Sequence, residues 1–362
     1  MTDPLWERYA DLLVGYCTAV APRDQVMLQV DTAALPLARA LTRAVLRAGG
    51  EPHLRLTYPE QGLDQIALAT DELLDSEPTV LLEEMKRMDV FIRVAAPENL
   101  RLLTDVGQER LARMARRMQP VQRQRLERTR WVTTLFPTAA AAQEAGMSTD
   151  AYERFVFGAM FLLDDDPAEA WRELGRRQQR WADRLSRADV LHIEGPGTDL
   201  RLRVGGRSWM NSDGKRNMPS GEVFTSPIED SAQGTITFTV PSNVQGAVVE
   251  HVRLRFDRGK VVEATAARGQ ELLDARLATD PGARFLGEIG IGTNPHIRRP
   301  TFSTLYDEKL LGTVHLALGR SYVETGGTND SAIHWDLVCD LRSEGRVTAD
   351  GETILENGAL RD

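Results

Sequence analysis

The segment Ser331-Ala332-Ile333-His334-Trp335-Asp336-Leu337-Val338 carries the clearest chemical pattern in this sequence. Read as a strand, its period of two puts His334 and Asp336 on one face and Ile333, Trp335 and Leu337 on the other. An imidazole nitrogen and a carboxylate oxygen placed side by side can clamp one hard or borderline cation. The plainer alternative is a histidine hydrogen-bonded to its neighbour. A second histidine, His315, sits in the apolar run Gly312-Thr313-Val314-His315-Leu316-Ala317-Leu318-Gly319, where a satisfied core histidine is the ordinary outcome. Between the two lies a polar, glycine-rich stretch, residues 320–330, which reads as an active-site loop joining two side-chain-bearing strands.

Two carboxylates stand in equally unusual company. Glu222 follows Pro219-Ser220-Gly221 and precedes Val223-Phe224, and Glu288 lies within Phe285-Leu286-Gly287-Glu288-Ile289-Gly290-Ile291-Gly292. A carboxylate buried among apolar and glycine residues is costly unless a cation or metal compensates it. A solvent-facing glutamate is the alternative for each. The glycines around Glu288 would let backbone approach a metal cluster closely. Together, two glutamates, two histidines and an aspartate form the set expected for two divalent ions sharing a bridging carboxylate and a water.

Other chemistries lack their signatures. There is no Gly-x-Ser-x-Gly elbow, no His-Glu-x-x-His helix and no Cys-x-x-Cys pair, and neither Cys17 nor Cys339 is flanked as a nucleophile would be. The run from Gly287 to Gly292 resembles a dinucleotide fingerprint only until Pro295 takes the place of the last glycine.

The elements that must position these residues fall into two textures. Residues 26–30, 53–57 and 90–94 read as strands separated by helical stretches, notably 35–47, which Gly49-Gly50 closes. This alternation predicts an N-terminal α/β domain, 1–187, with a mostly parallel sheet. Residues 110–130 form an arginine-rich helical run interrupted by Pro120, most simply a solvated face. Asp150 with Glu153, and Asp166-Pro167-Ala168-Glu169, have the form of helix starts. From residue 190 short strands dominate: 190–193, 200–204, 235–240, 252–256 and 261–264, with one helix at 269–277. Residues 188–362 are therefore expected to form a C-terminal mixed α/β catalytic domain rich in short strands.

Composition bounds the setting. A chain of 362 residues with 42% hydrophobic and 27% charged side chains is that of a globular protein of two domains. The net charge of −9 argues against a broad nucleic-acid-binding face. The most apolar run, 155–163, is nine residues long, too short to span a membrane. Two distant cysteines and no secretory leader pattern point to a reduced cytoplasmic protein.

Several ordered motifs resemble those of the aminopeptidase T-like family of cocatalytic metallopeptidases, the thermophilic metalloprotease family. They are Gly221-Glu222-Val223-Phe224-Thr225, Gly287 to Asn294, His315 to Gly319 and His334-Trp335-Asp336, with support from Trp131 to Pro137 and Gly195 to Leu200. The resemblance covers nearly the whole chain. It implies Glu222, Glu288, His315, His334 and Asp336 as metal ligands, with Glu288 as the bridge. It matches Tyr322 to an active-site tyrosine and Glu308 to a further acidic residue at the metals, as ligand or as catalytic acid/base. It also implies two divalent ions per chain (zinc, cobalt or manganese), a homodimer, and hydrolysis of N-terminal residues from peptides with broad specificity by a water bridging the ions. The alternative from another reaction class is a mononuclear iron ring-cleaving dioxygenase of a related family, built on His315, His334 and Asp336 alone.

Overall fold

The computed structural model describes residues 4–244 and 246–361. Contacts divide the chain into two compact units, one of Met1–Ala168 with Gly214–Pro219, the other of Glu169–Asp213 with Ser220–Asp362.

The first unit is built as the alternation predicts. Strands β1 (Gln25–Asp31), β2 (Glu51–Thr57), β3 (Val90–Ala95) and β4 (Arg130–Leu135) are parallel, in the order β2-β1-β3-β4. The short strand Asn217–Met218 extends the sheet beyond β4. Helices α1 (Pro4–Asp11) and α2 (Leu35–Arg47) pack together, and α2 lies on β1 and β2. Helices α3 (Gln61–Leu68), α4 (Asp71–Asp75) and α5 (Thr79–Met85) pack against α6 (Gln108–Arg128). Helix α6 runs unbroken through Pro120. The proline removes only the bond to the carbonyl of Arg116, an exposed position where solvent can replace it. Helices α7 (Ala139–Glu144) and α8 (Thr149–Ala159) complete the unit. The cap of α8 is Ser148, whose hydroxyl accepts from the Ala151 amide at 3.2 Å, and not Asp150, which lies inside the first turn.

Helix α9 (Pro167–Leu185) ends close to the break expected near residue 187, yet its Ala182 and Leu185 belong to the core of the second unit. That core lies between two sheets. One has eight mostly short strands, including Val190–Gly195, Thr198–Arg203, Gln233–Phe238 and Val252–Asp257. The other has five, which carry the candidate site: β5 (Met210–Ser212), β6 (Glu222–Thr225), β7 (Leu286–Gly292), β8 (Thr313–Gly319) and β9 (His334–Asp340), in the order β9-β8-β7-β6-β5, all antiparallel. Leu200, Ile236 and Leu254 from the first sheet meet Ile289, Leu316 and Leu337 from the second. Strand period explains the site sheet. Val223, Ile289, Ile291, Val314, Leu316, Leu318, Trp335 and Leu337 enter the core, so their sequence neighbours Glu222, Glu288, His315, His334 and Asp336 fall on the opposite face.

Candidate metal centre

Four adjacent strands deliver five side chains to one patch. Glu288 on β7 has Ala317 as its partner on β8, which in turn faces Asp336 on β9. Gly290 of β7 lies opposite His315 of β8, and Gly292 opposite Glu222 of β6. A side chain at residue 290 would collide with the His315 ring, since a Cβ there would lie 2.2 Å from its Nε2. Glycine at this position therefore lets the imidazole lie across β7 toward both glutamates.

The resulting distances define two groups. His315 Nε2 is 3.4 Å from Glu222 Oε2 and 3.3 Å from Glu288 Oε1. His334 Nε2 is 3.2 Å from Glu288 Oε2 and 3.6 Å from Asp336 Oδ1. Glu222, Glu288 and His315 each offer a ligand atom within 4.8 Å of the others, and so do Glu288, His334 and Asp336. Glu288 belongs to both groups, one oxygen toward each. The His334 Nδ1–H donates to the Arg320 carbonyl at 2.8 Å, which leaves Nε2 as the nitrogen turned to the carboxylates. A backbone acceptor behind a histidine is the usual support for a metal-binding imidazole.

The electrostatics are those of a crowd of carboxylates short of cations. Burial pushes Glu222 up to about 7, against the pull of Lys309. Burial likewise raises Asp336 to about 6, with His334 pulling it down in part. For Glu288 burial acts upward too, but hydrogen bonds from His315 and His334 outweigh it and hold the carboxyl at about 2. The histidines answer in the opposite sense. Burial opposes their charge, yet Glu288 and Glu222 raise His315 to about 9, and Asp336 and Glu288 raise His334 to about 10. Even so, Glu222 Oε2, Asp336 Oδ1 and His315 Nδ1 are buried without a hydrogen-bond partner. Buried orphan carboxylate oxygens, arranged beside imidazole nitrogens, fit divalent cations well.

Glu308 lies outside both groups. It follows α10 (Gln270–Leu277) and α11 (Thr304–Asp307) in the chain, and its Oε1 accepts from Lys309 Nζ. Lys309 is fully buried, with Nζ 3.5 Å from Glu222 Oε1. Burial works against its charge, but Glu222 and Glu308 raise its pKa overall, so it stays an ammonium. The Tyr322 ring lies 5.2 Å edge-on from His334 and 5.4 Å from Phe224. Desolvation and the nearby Glu288 and Asp336 raise its phenol pKa, which keeps it a donor.

Two contributors carried no sequence signal. Lys309 reads in Tyr306-Asp307-Glu308-Lys309 as part of an ordinary charged turn. Gln178, fully buried on α9, donates to the backbone carbonyls of Ser212 and Glu222 at 3.1 and 2.6 Å and so anchors β5 and β6 from behind.

Residues 2–360 match the thermophilic metalloprotease (M29) family. The chain belongs to that family. It is 30% identical to aminopeptidase 2 of Geobacillus stearothermophilus over 97% of this chain and 96% of the relative. It is 29% identical to aminopeptidase T of Thermus thermophilus over 91% of each. The fold is similar to that of wild-type AmpT from Thermus thermophilus, with a TM-score of 0.86 at 26% identity over 99% of both chains. A 2,5-dihydroxypyridine dioxygenase from Pseudomonas putida KT2440 shares the fold at a TM-score of 0.61 and 15% identity, covering 99% of this chain and 96% of that one. At that identity the likeness concerns architecture, not activity.

Proposed function

We propose that this metalloprotease is a broad-specificity aminopeptidase that removes N-terminal residues from peptides using a water shared by two divalent ions. The observation that carries the proposal is the shared carboxylate: Glu288 stands between a Glu222–His315 group and a His334–Asp336 group. Glu222, Glu288 and His315 would hold one ion, and Glu288, His334 and Asp336 the other. When bound, such a pair supplies Lewis acidity at the scissile carbonyl and lowers the pKa of the shared water toward about 7.

The remaining steps fall to side chains of the chain itself. Tyr322, protonated and set against His334, donates a hydrogen bond to the oxyanion that develops on the carbonyl. Glu308, outside both groups, receives the proton of the attacking water at a carboxylate oxygen and passes it to the leaving amine. Lys309 holds Glu308 and Glu222 apart from direct repulsion and fixes the orientation of both.

Zinc, cobalt and manganese all suit this mixture of imidazole and carboxylate. A homodimer is proposed from the family resemblance. A cytoplasmic location is proposed because both cysteines are free and buried. The mononuclear iron reading is not favoured: it would leave Glu222 buried beside His315 with an orphan oxygen and no role. The test is hydrolysis of a dipeptide panel and of aminoacyl chromogenic substrates by the metal-loaded protein. Release of N-terminal residues of several side-chain types is expected. Inactivity of fully loaded protein on the whole panel would contradict the proposal.

A further inference from the structure

On one face of the parallel sheet in the first unit, an apolar rung gives way to a polar one. Met27, Phe91 and Trp131 are partners across β1, β3 and β4. Met27 and Phe91 pack with Met85 and Val121 in a small core, against which Trp131 also rests. Two residues further along each strand, the next rung on that face is Arg55, Gln29, Arg93 and Thr133, aligned across β2, β1, β3 and β4. A sheet face covered by helices normally stays apolar. Here it opens instead into a cavity of about 480 Å³ whose wall includes all four of these residues. That volume is within the ordinary range for small-molecule sites, roughly 300–1,000 Å³.

The position is also one that parallel sheets favour. The order β2-β1-β3-β4 reverses direction between β1 and β3. Ligands of open α/β sheets bind outside the carboxyl ends of the strands at such a reversal. Asp31 and Thr57, the last residues of β1 and β2, line the same cavity.

Its charges are unequally matched. Arg93 pairs with Asp31 at 2.7 Å, and Arg55 with Glu84. Asp31 is saturated further by Thr57 Oγ1 and the Ala96 amide. Arg125, from the arginine run of α6, has no carboxylate partner among the described residues. Its guanidinium lies over the rings of Phe91 and Trp131, at 5.2 and 4.9 Å from their centroids. Its Nε and Nη2 donate to Gln122 Oε1 at 3.2 and 3.0 Å, and Nη1 has no partner among the described residues. Burial alone lowers its pKa. A guanidinium stacked on two aromatic faces and held along one edge by Gln122 keeps the Nη1 donors of its other edge for an anion.

We infer that this cavity binds a small organic anion, with a carboxylate or phosphate head against Arg125 and an apolar body against Met85 and Met118. Gln29 and Thr133, which line the cavity, supply hydrogen bonds to the polar groups of the bound molecule, while Arg93 stays held by Asp31 and the Val94 carbonyl. The site lies wholly within the first unit and does not depend on the proposed peptidase chemistry.

The test uses metal-loaded, full-length protein with methyl-labelled methionine, titrated with phenyl phosphate, 3-phenylpropionate and the neutral 3-phenylpropionamide. Saturable shifts of the Met85 and Met118 methyls with either anion, and not with the amide, are expected. If only phenyl phosphate acts, the head is a phosphate; if only the propionate acts, it is a carboxylate. Arg125→Met should weaken binding roughly tenfold or more, as loss of a charge-assisted bond does. Arg123→Met, an exposed position on the same helix, should leave it unchanged. Should Arg125→Met fail to fold, Arg125→Lys, which keeps the charge but not the fork, should still weaken binding. Absence of Met85 and Met118 shifts with both anions at about 10 mM, or equal shifts with the amide, would overturn the inference.

Discussion

Glu288 is the residue on which the centre turns, because its two oxygens face different histidines. In metal-free protein both imidazoles are raised, to about 9 and about 10, and are protonated at neutral pH. Metal uptake must displace those protons. Affinity should therefore climb as pH rises from 7 through 9, and loading in weak buffer should release protons measurable with an indicator dye. Uptake without proton release at pH 7 would contradict the assignment. The same shifts set a stability sign. The contribution of the His–Glu288 contacts to metal-free protein is fully present below the unfolded histidine value of about 6.5. It is lost as pH rises through about 9 to about 10. Urea midpoints of metal-free protein should fall across that window. Lys309 gives a second residue-scale prediction. Lys309→Met leaves the buried Glu222 and the half-buried Glu308 without their cation, a loss of about 3–5 kcal/mol in metal-free protein. Metal loading should recover part of it, since the ions supply the missing charge. A variant as stable as the parent without metal would refute the role given to Lys309.

At the scale of elements, the site is a consequence of strand alternation on β6 to β9, and this much is legible in the sequence. His334-Trp335-Asp336 states its own two faces, and the apolar residues flanking Glu288 and His315 commit those strands to burial. The strand does begin at His334 and not at Ser331, because Ser331 and Ala332 are tied instead to the Asp280 carboxylate. What the sequence could not show was the order of the strands, and hence which side chains become neighbours. Lys309 and Gln178 were invisible for that reason: each acts on Glu222 across 87 and 44 residues of chain, and neither sits in a periodic pattern that marks it. The cap of α8 lies two residues before the Asp150 that its capping-box pattern suggests, because Ser148 and Asp150 are both competent acceptors and only backbone geometry chooses between them. Gly290 supplies the element-scale test. Gly290→Ala places a methyl against the His315 ring and should turn it from the carboxylates. We expect a folded protein with metal affinity reduced about 10–100-fold, as when an imidazole loses its orientation. Unchanged affinity would show that the close strand approach is not needed.

For the molecule as a whole, the five side chains of the two candidate metal groups all lie in the second unit and none in the first. Binding free energy should therefore appear locally. At metal concentrations about 100-fold above Kd, linkage gives about 2.7 kcal/mol of stabilisation for each ion bound. Hydrogen exchange should slow in β6 to β9 on loading, while β1 to β4 exchange as before. Equal slowing in both units would contradict this account. Family membership fixes the class of the protein and leaves the two-ion site as the claim most exposed to experiment. Metal content per chain, measured on freshly purified protein and on Glu288→Gln in parallel, tests it most directly. Two divalent ions per chain are expected in the parent, with metal and activity lost together in the variant and activity falling by more than about 100-fold, the upper end of what a supporting contact costs. A single iron per chain, or a fully active Glu288→Gln protein, would contradict it.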